Sequence, residues 1–385
     1  MLRTRRLTAL AVLCVAVALG GCAASTPAPA TPAPTPSAAT VTPTPTPDAL
    51  DSAVEAVAEM TTAEQAASVV MGHISTTDTA TLHEYMSAGF GGFILMGANI
   101  PGSQDELRAI TASLAIDPAL PPLIAIDQEG GVVSRLPWDG FPTPYDLQSQ
   151  PASATLAAFD QRAALVASVG ANVNFGIVAD VPANASSFIS RRALGTDPAS
   201  AAERVVAAVE GERPHVASTL KHFPGHGAAP GDSHHSIPST AMTLEPWRAA
   251  DAVPFAAGID ADAELLMYGH LAYTAVDTAP ASLSARWHEI ARDDLGFDGV
   301  MITDDLGMLQ SSGIDAYRDP VENAVLALIA GNDMVLMIAG SDAQTAPAMV
   351  DGIVRAVEAG RLSPERLQDA AERVMALRMD LAARG

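Results

Sequence analysis

Gly299-Val300-Met301-Ile302-Thr303-Asp304-Asp305 carries a short apolar run that stops abruptly at two carboxylates. A continuous run of this length, without polar alternation, suits a strand covered on both faces, as in parallel sheets. The same pattern recurs along the chain. Strands are expected at residues 67–72, 90–96, 123–127, 173–178, 218–222, 265–270, 300–304 and 334–338. Helical periodicity fills the intervals, for example at 199–209, at 322–330 before Gly331, and at 348–358 before Gly360. A last helix opens with Ser363 as N-cap and Pro364 at its first position, a strong start signal. Strand–helix units in this order, with no internal repeat, predict an α/β fold: a (β/α)8 TIM-type barrel in a single domain. A doubly wound open sheet is the alternative. Asp127, His222, His270 and Asp304 each end an expected strand, and in a barrel those ends converge on one face.

Upstream of this region the chain reads as an address. Arg3, Arg5 and Arg6 precede an uncharged apolar run over residues 7–21. That run is shorter than the roughly 20 residues of a membrane-spanning helix and suits a secretory leader. It ends in Leu19-Gly20-Gly21-Cys22, which resembles the lipobox of bacterial lipoproteins. Residues 1–21 are therefore expected to be a signal peptide, with Cys22 lipidated and the protein held at the outer, extracytoplasmic face of the cell membrane. Residues 22–49 form an Ala/Thr/Pro-rich tether that cannot bury a core and leans toward extended polyproline II. Residues 50–385 are the expected barrel domain. The two cysteines are Cys14, in the leader, and Cys22, so the mature fold is expected to hold no disulfide. A net charge of −23 argues against nucleic acid and against a basic membrane-binding patch, leaving the N-terminal lipid as the only membrane contact.

The richest chemistry lies in Lys221-His222-Phe223-Pro224-Gly225-His226-Gly227, followed by Asp232-Ser233-His234. Lys221 is the only lysine among 21 basic residues. A chain that uses arginine everywhere else has reason to need a compact, multidirectional ammonium at this position. Asp232 and His234 stand two apart in a Gly- and Ser-rich loop, and a carboxylate beside an imidazole can fix its tautomer for acid/base work. His222, His226, Asp232, His234 and His235 are also possible metal ligands, although their spacing matches no standard zinc pattern. Asp304-Asp305 at a strand end suits a nucleophilic carboxylate, a helix N-cap or a cation site.

Together these segments resemble the β-N-acetylhexosaminidases of glycoside hydrolase family 3, over residues 53–378. The Lys221-to-His234 stretch is the most specific match. Ile126-Asp127-Gln128-Glu129-Gly130-Gly131 with Arg135, Arg192-Ala193-Leu194-Gly195 and Ile302-Thr303-Asp304-Asp305-Leu306 match as well. The resemblance implies Asp304 as nucleophile and His234, paired with Asp232, as acid/base. It assigns Asp127, Arg135, Arg192, Lys221 and His222 to the sugar hydroxyls. It also implies a retaining exo-enzyme acting on terminal β-linked N-acetylglucosamine, without cofactor or metal and as a monomer. With an extracytoplasmic location, the expected substrates are peptidoglycan fragments, that is, small N-acetylglucosaminides and muropeptides. A phosphorylase using the same residues, a non-catalytic sugar-binding lipoprotein and a metal-dependent hydrolase are the alternatives. Two departures from the family pattern stand out: Ala228-Ala229 where an acidic residue and a threonine are usual, and Val132 where an arginine is common.

Overall fold

Eight short runs of apolar residues pair side by side in chain order. The computed structural model describes residues 49–384. The expected signal peptide, Cys22 and the tether up to residue 48 lie outside the described residues. The strands are β1 (Val70–Gly72), β2 (Gly92–Leu95), β3 (Leu123–Ile126), β4 (Val173–Val178), β5 (Ala217–Phe223), β6 (Leu265–Tyr268), β7 (Val300–Thr303) and β8 (Val335–Leu336). Each pairs in parallel with its sequence neighbour from β1 through β7, and β8 returns to β1 with Val70 opposite Val335. A parallel bridge between Ile302 and Met334 joins β7 to β8 and closes the circle. The architecture is the expected (β/α)8 barrel, not an open sheet.

Both faces of each strand are buried, which explains the unbroken apolar runs. Leu123 and Ala125 point into the barrel alongside Met71, Ile94, Val173, Phe175, Leu265, Met267, Val300 and Ile302. Ile124 and Ile126 point outward against the helices. The interior is thus a packed core and not a pore. Local signals set the helix ends. Asp197 caps the helix Pro198–Glu212 by accepting from the Ala199 and Ser200 N–H groups, and Asp319 does the same for Pro320–Ala330. Ser363 Oγ accepts the Arg366 N–H at 3.1 Å, as expected of an N-cap. Most strand ends shift by one or two residues from those expected, and the start of β1 shifts by three. Residues 67 and 68 end the helix Thr62–Ser68, and β1 begins only at Val70. Thr61 and Glu64 form a capping box that commits this segment to helix despite its apolar character.

The β7–β8 seam depends on Asp305. Its Oδ1 accepts the Gly307 N–H at 2.9 Å and the Ile338 N–H at 2.7 Å, while Oδ2 accepts the Ala339 N–H at 2.9 Å. One carboxylate therefore caps the helix Leu306–Ser311 and ties down the exit of β8. Removing it in Asp305→Ala strands three backbone donors and should cost roughly 2–3 kcal/mol. A urea unfolding curve should show that loss, and an unchanged midpoint would contradict it.

Candidate active site

The strand period of two decides what rises above the packed interior. Residues 123 and 125 of β3 face inward, so Asp127 continues that row one step beyond the strand. Residues 300 and 302 of β7 do the same for Asp304. Ala217 faces inward on β5, and two further steps along the row reach Lys221. The top layer of the barrel core is therefore built from charged groups.

Lys221 is only 2% exposed. Its Nζ donates to Asp127 Oδ1 at 2.9 Å and lies 2.7 Å from Glu129 Oε1. Glu129, fully buried, also takes the Arg192 guanidinium in a two-pronged pair at 2.7 and 2.9 Å. Arg135 Nη2 donates to Asp127 Oδ2 at 3.3 Å. Burial alone would raise the Asp127 carboxyl, but Lys221, Arg135 and Arg192 outweigh it and hold it at about 2. Burial likewise opposes the charge on Lys221, yet Asp127 and Glu129 hold its ammonium above the ordinary lysine range.

Arg135 arrives on a short hairpin, Gln128–Gly130 against Val133–Ser134. Gln128 Oε1 accepts the N–H groups of Arg135 and Leu136, each at 2.9 Å. The turn needs its double glycine. Gly130 and Gly131 have φ of +88° and +70°, and a Cβ on Gly130 would lie 2.3 Å from Arg162 Nη2. Val132, where an arginine is common, stands exposed at the tip.

His222 sits on β5 beside Lys221. Its Nδ1 lies 2.7 Å from Asp180 Oδ2, and its Nε2 lies 3.3 Å from Arg192 Nη2. Arginine can only donate, so Nε2 accepts and the ring proton belongs on Nδ1. Asp180 also accepts the His226 backbone N–H at 2.6 Å, which fixes the turn after β5. The Lys221–His222 and Phe223–Pro224 peptide bonds are both cis. Ala229 is buried in the apolar cluster around Phe223 and Trp247, so packing secures the loop where the family's usual polar pair is absent.

Two groups keep a free face. Asp304 accepts the Asp305 N–H at 2.7 Å and is held low. Burial pushes its carboxyl up, but the polar groups around it, that N–H and the Lys221 ammonium among them, prevail. His234 Nδ1 lies 2.5 Å from Asp232 Oδ1, whose carboxylate also accepts the His234 N–H at 3.0 Å. The His234 side chain is 59% exposed, and with Nδ1–H on Asp232 its Nε2 is available to a ligand.

A cavity of about 250 Å³ gathers these groups. Asp127, Arg135, Arg192, Lys221, His222, His234 and Asp304 all line it. Asp232 stands behind His234 and not in the wall. His270 does not join them, although it follows a strand end. Its Nδ1 bonds Ser282 Oγ at 2.7 Å and its Nε2 bonds the Asp305 carbonyl at 2.9 Å, so it braces the β7 exit. A larger cavity, about 690 Å³, lies where the strands begin, walled by Ile124, Ala171, Asn172 and the last helix. It holds no comparable set of carboxylates and cations. Among the described residues, no group of three or more His, Cys, Asp or Glu side chains is arranged to hold a metal ion.

Comparison with known proteins agrees with this geometry. Residues 54–377 match the glycosyl hydrolase family 3 N-terminal domain. The chain belongs to glycosyl hydrolase family 3. A β-hexosaminidase of Pseudomonas aeruginosa is 39% identical over 254 residues, 64% of this chain and 74% of that protein. One from Xanthomonas oryzae pv. oryzae is 36% identical over 290 residues, 72% of this chain and 82% of that protein. The solved family 3 β-N-acetylglucosaminidase of Paenibacillus sp. FPU-7 superposes with a TM-score of 0.77 at 30% identity, covering 84% of this chain and 63% of that one.

In this family 3 glycoside hydrolase two residues without an expected role, Glu129 and Asp180, hold the groups that line the cavity. Glu129 was in plain view inside the matched Asp127-to-Gly131 segment, but its pairing with Lys221 and Arg192 shows only in three dimensions. Asp180 stands two residues past the end of β4, beyond the strand-end position that singled out Asp127 and Asp304, and only its contact with His222 reveals it.

The Asp127 pairing has a pH signature. Its folded value, about 2, lies below the ordinary 3.8, so the pairing adds stability that is full above pH ~4 and lost as pH falls toward 2. The wild type should therefore lose melting temperature more steeply than Asp127→Asn across that window. Parallel slopes would contradict the assignment.

Proposed function

We propose that this chain is a retaining exo-β-N-acetylglucosaminidase that works through a glycosyl-enzyme intermediate on Asp304. One observation carries the reading. A carboxylate held ionised on β7 and an imidazole with a free Nε2 open on the same small cavity, whose wall also carries Asp127, Arg135, Arg192, Lys221 and His222. A cavity of about 250 Å³ suits a single sugar ring, which favours attack on a chain end. The relatives' activities, β-hexosaminidase and β-N-acetylglucosaminidase, support the choice of an N-acetylated sugar.

In the first step Asp304 attacks the anomeric carbon while the His234 Nε2–H gives its proton to the departing oxygen. Asp232 steadies the ring through Nδ1–H in both protonation states. In the second step His234 Nε2 removes a proton from water, the hydroxide attacks the anomeric carbon, and Asp304 leaves as carboxylate. Retaining glycosidases usually pair two carboxyl groups for these roles. An imidazole can replace the acid because it can both give and take a proton at Nε2 while Asp232 holds Nδ1–H. Asp127, Arg135, Arg192, Lys221 and His222 hold the sugar hydroxyls.

The natural substrate in this reading is a peptidoglycan fragment with N-acetylglucosamine at its non-reducing end, cleaved outside the cytoplasm. That part rests on the lipobox-like Leu19-to-Cys22 segment. Cys22→Ser should then move the protein from the membrane fraction to the soluble fraction, and an unchanged distribution would remove the anchor from the account.

Hydrolysis of 4-nitrophenyl N-acetyl-β-glucosaminide tests the chemistry. Asp304→Ala should lower kcat at least about a thousandfold and His234→Ala roughly a hundredfold or more. Wild-type turnover in Asp304→Ala would sink the reading. A sugar 1-phosphate as main product when phosphate is added would make the enzyme a phosphorylase.

A further inference from the structure

His226 lies in the wall of the catalytic cavity, and neither the proposed mechanism nor the hydroxyl-binding set makes use of it. It is 2% exposed. Its backbone is fixed by Asp180, and its ring is wedged edge-on between Phe188, at 4.7 Å, and His222, at 6.0 Å. Both ring nitrogens are buried and have no protein partner. His73 and His288 each leave Nε2 bare, yet both satisfy Nδ1, on Ser341 Oγ and on the Ser284 carbonyl. Among the described residues, His226 is the only histidine with both nitrogens buried and unpartnered.

Such a group is a poor element of a fold. Burial pushes the imidazole below its ordinary value, against the pull of Asp180, and so favours the neutral ring. A neutral imidazole offers one donor and one acceptor, and a buried polar group left unpaired costs stability. A phenylalanine would fill the same volume without that penalty. Placed on a cavity wall, however, the donor–acceptor pair matches a sugar hydroxyl or amide, each of which can both give and take a hydrogen bond. Lys221, Arg192, Asp127 and His222 on the same wall each hold protein partners as well, the first three in ion pairs and His222 with Asp180 and Arg192, whereas neither His226 nitrogen does.

We propose that His226 is a further substrate-binding residue, hydrogen-bonded through its ring to the sugar in the cavity and retained there for binding and not for the fold. The inference rests on the cavity being the sugar site of the reaction proposed above. Its signature is separable from that of a structural residue. In His226→Phe, KM for the nitrophenyl N-acetylglucosaminide should rise about tenfold. The pH profile of kcat should keep its shape, because His226 carries no proton in the reaction. The melting temperature should stay level or rise. His226→Gln, which restores a donor and an acceptor, should recover part of the lost affinity.

A kcat/KM for His226→Phe within about twofold of wild type would overturn the inference. So would a melting temperature several degrees lower in both variants, which would give the ring to the fold. Should the wild type itself fail to turn over the substrate, the functional reading falls while calorimetry with N-acetylglucosamine still tests this residue. Weaker binding by His226→Phe than by wild type supports the inference there, and equal binding overturns it.

Discussion

One buried ammonium ties the third strand of the barrel to the fifth. Lys221 Nζ lies within 2.9 Å of Asp127 and 2.7 Å of Glu129, and each carboxylate brings a second cation with it, Arg135 and Arg192 respectively. Charges this deep persist only when every partner is present, because removing one leaves the others uncompensated in a poorly solvated site. The consequence is a rigid polar floor whose geometry is settled before any ligand arrives. It also explains why the only lysine of the chain stands here. A planar guanidinium cannot turn donors toward two carboxylates on different segments as freely as an ammonium can.

Around that floor the ionisable groups divide by what is left to them. Glu129, Asp180 and Asp305 are consumed by the protein: one by two cations, one by His222 and the His226 N–H, one by three backbone donors. Asp304 and His234 are oriented but not consumed. The adjacent acids Asp304 and Asp305 show the contrast most clearly, since one step along the chain separates a carboxylate that accepts one backbone N–H from a cap that accepts three. A site whose reactive pair is held by groups with no chemistry of their own suits the tight positioning that acid/base and nucleophilic work requires.

Much of this was legible in the sequence, for particular reasons. Parallel strands buried on both faces leave unbroken apolar runs, so all eight strands could be placed, and of the polar residues at their ends Asp127, His222 and Asp304 meet at one cavity. The start of β1 was misplaced because an Ala- and Val-rich stretch reads equally as strand or buried helix, and only the Thr61–Glu64 capping box decides it. Asp304-Asp305 left nucleophile, cap and cation site open, and only the hydrogen bonds of Asp305 identify it as the cap. His270 looked equivalent to His222 at a strand end, but Ser282 and the Asp305 carbonyl turn it to bracing. Glu129 and Asp180 were hidden for another reason: their importance lies in which cation or ring they meet across the barrel, and spacing along the chain does not encode that. His226 stood in the matched loop, but what sets it apart is the absence of partners.

The central claim is that Asp304 forms the covalent bond. It is tested most directly with a 5-fluoro N-acetylglucosaminyl fluoride, whose reactive leaving group lets the glycosyl-enzyme form while the ring fluorine slows its hydrolysis. Intact mass spectrometry of the wild-type protein should show the gain of one fluorinated sugar, and peptide mapping should place it on Asp304. Release of fluoride with no adduct, or an adduct on another carboxylate, would contradict the account.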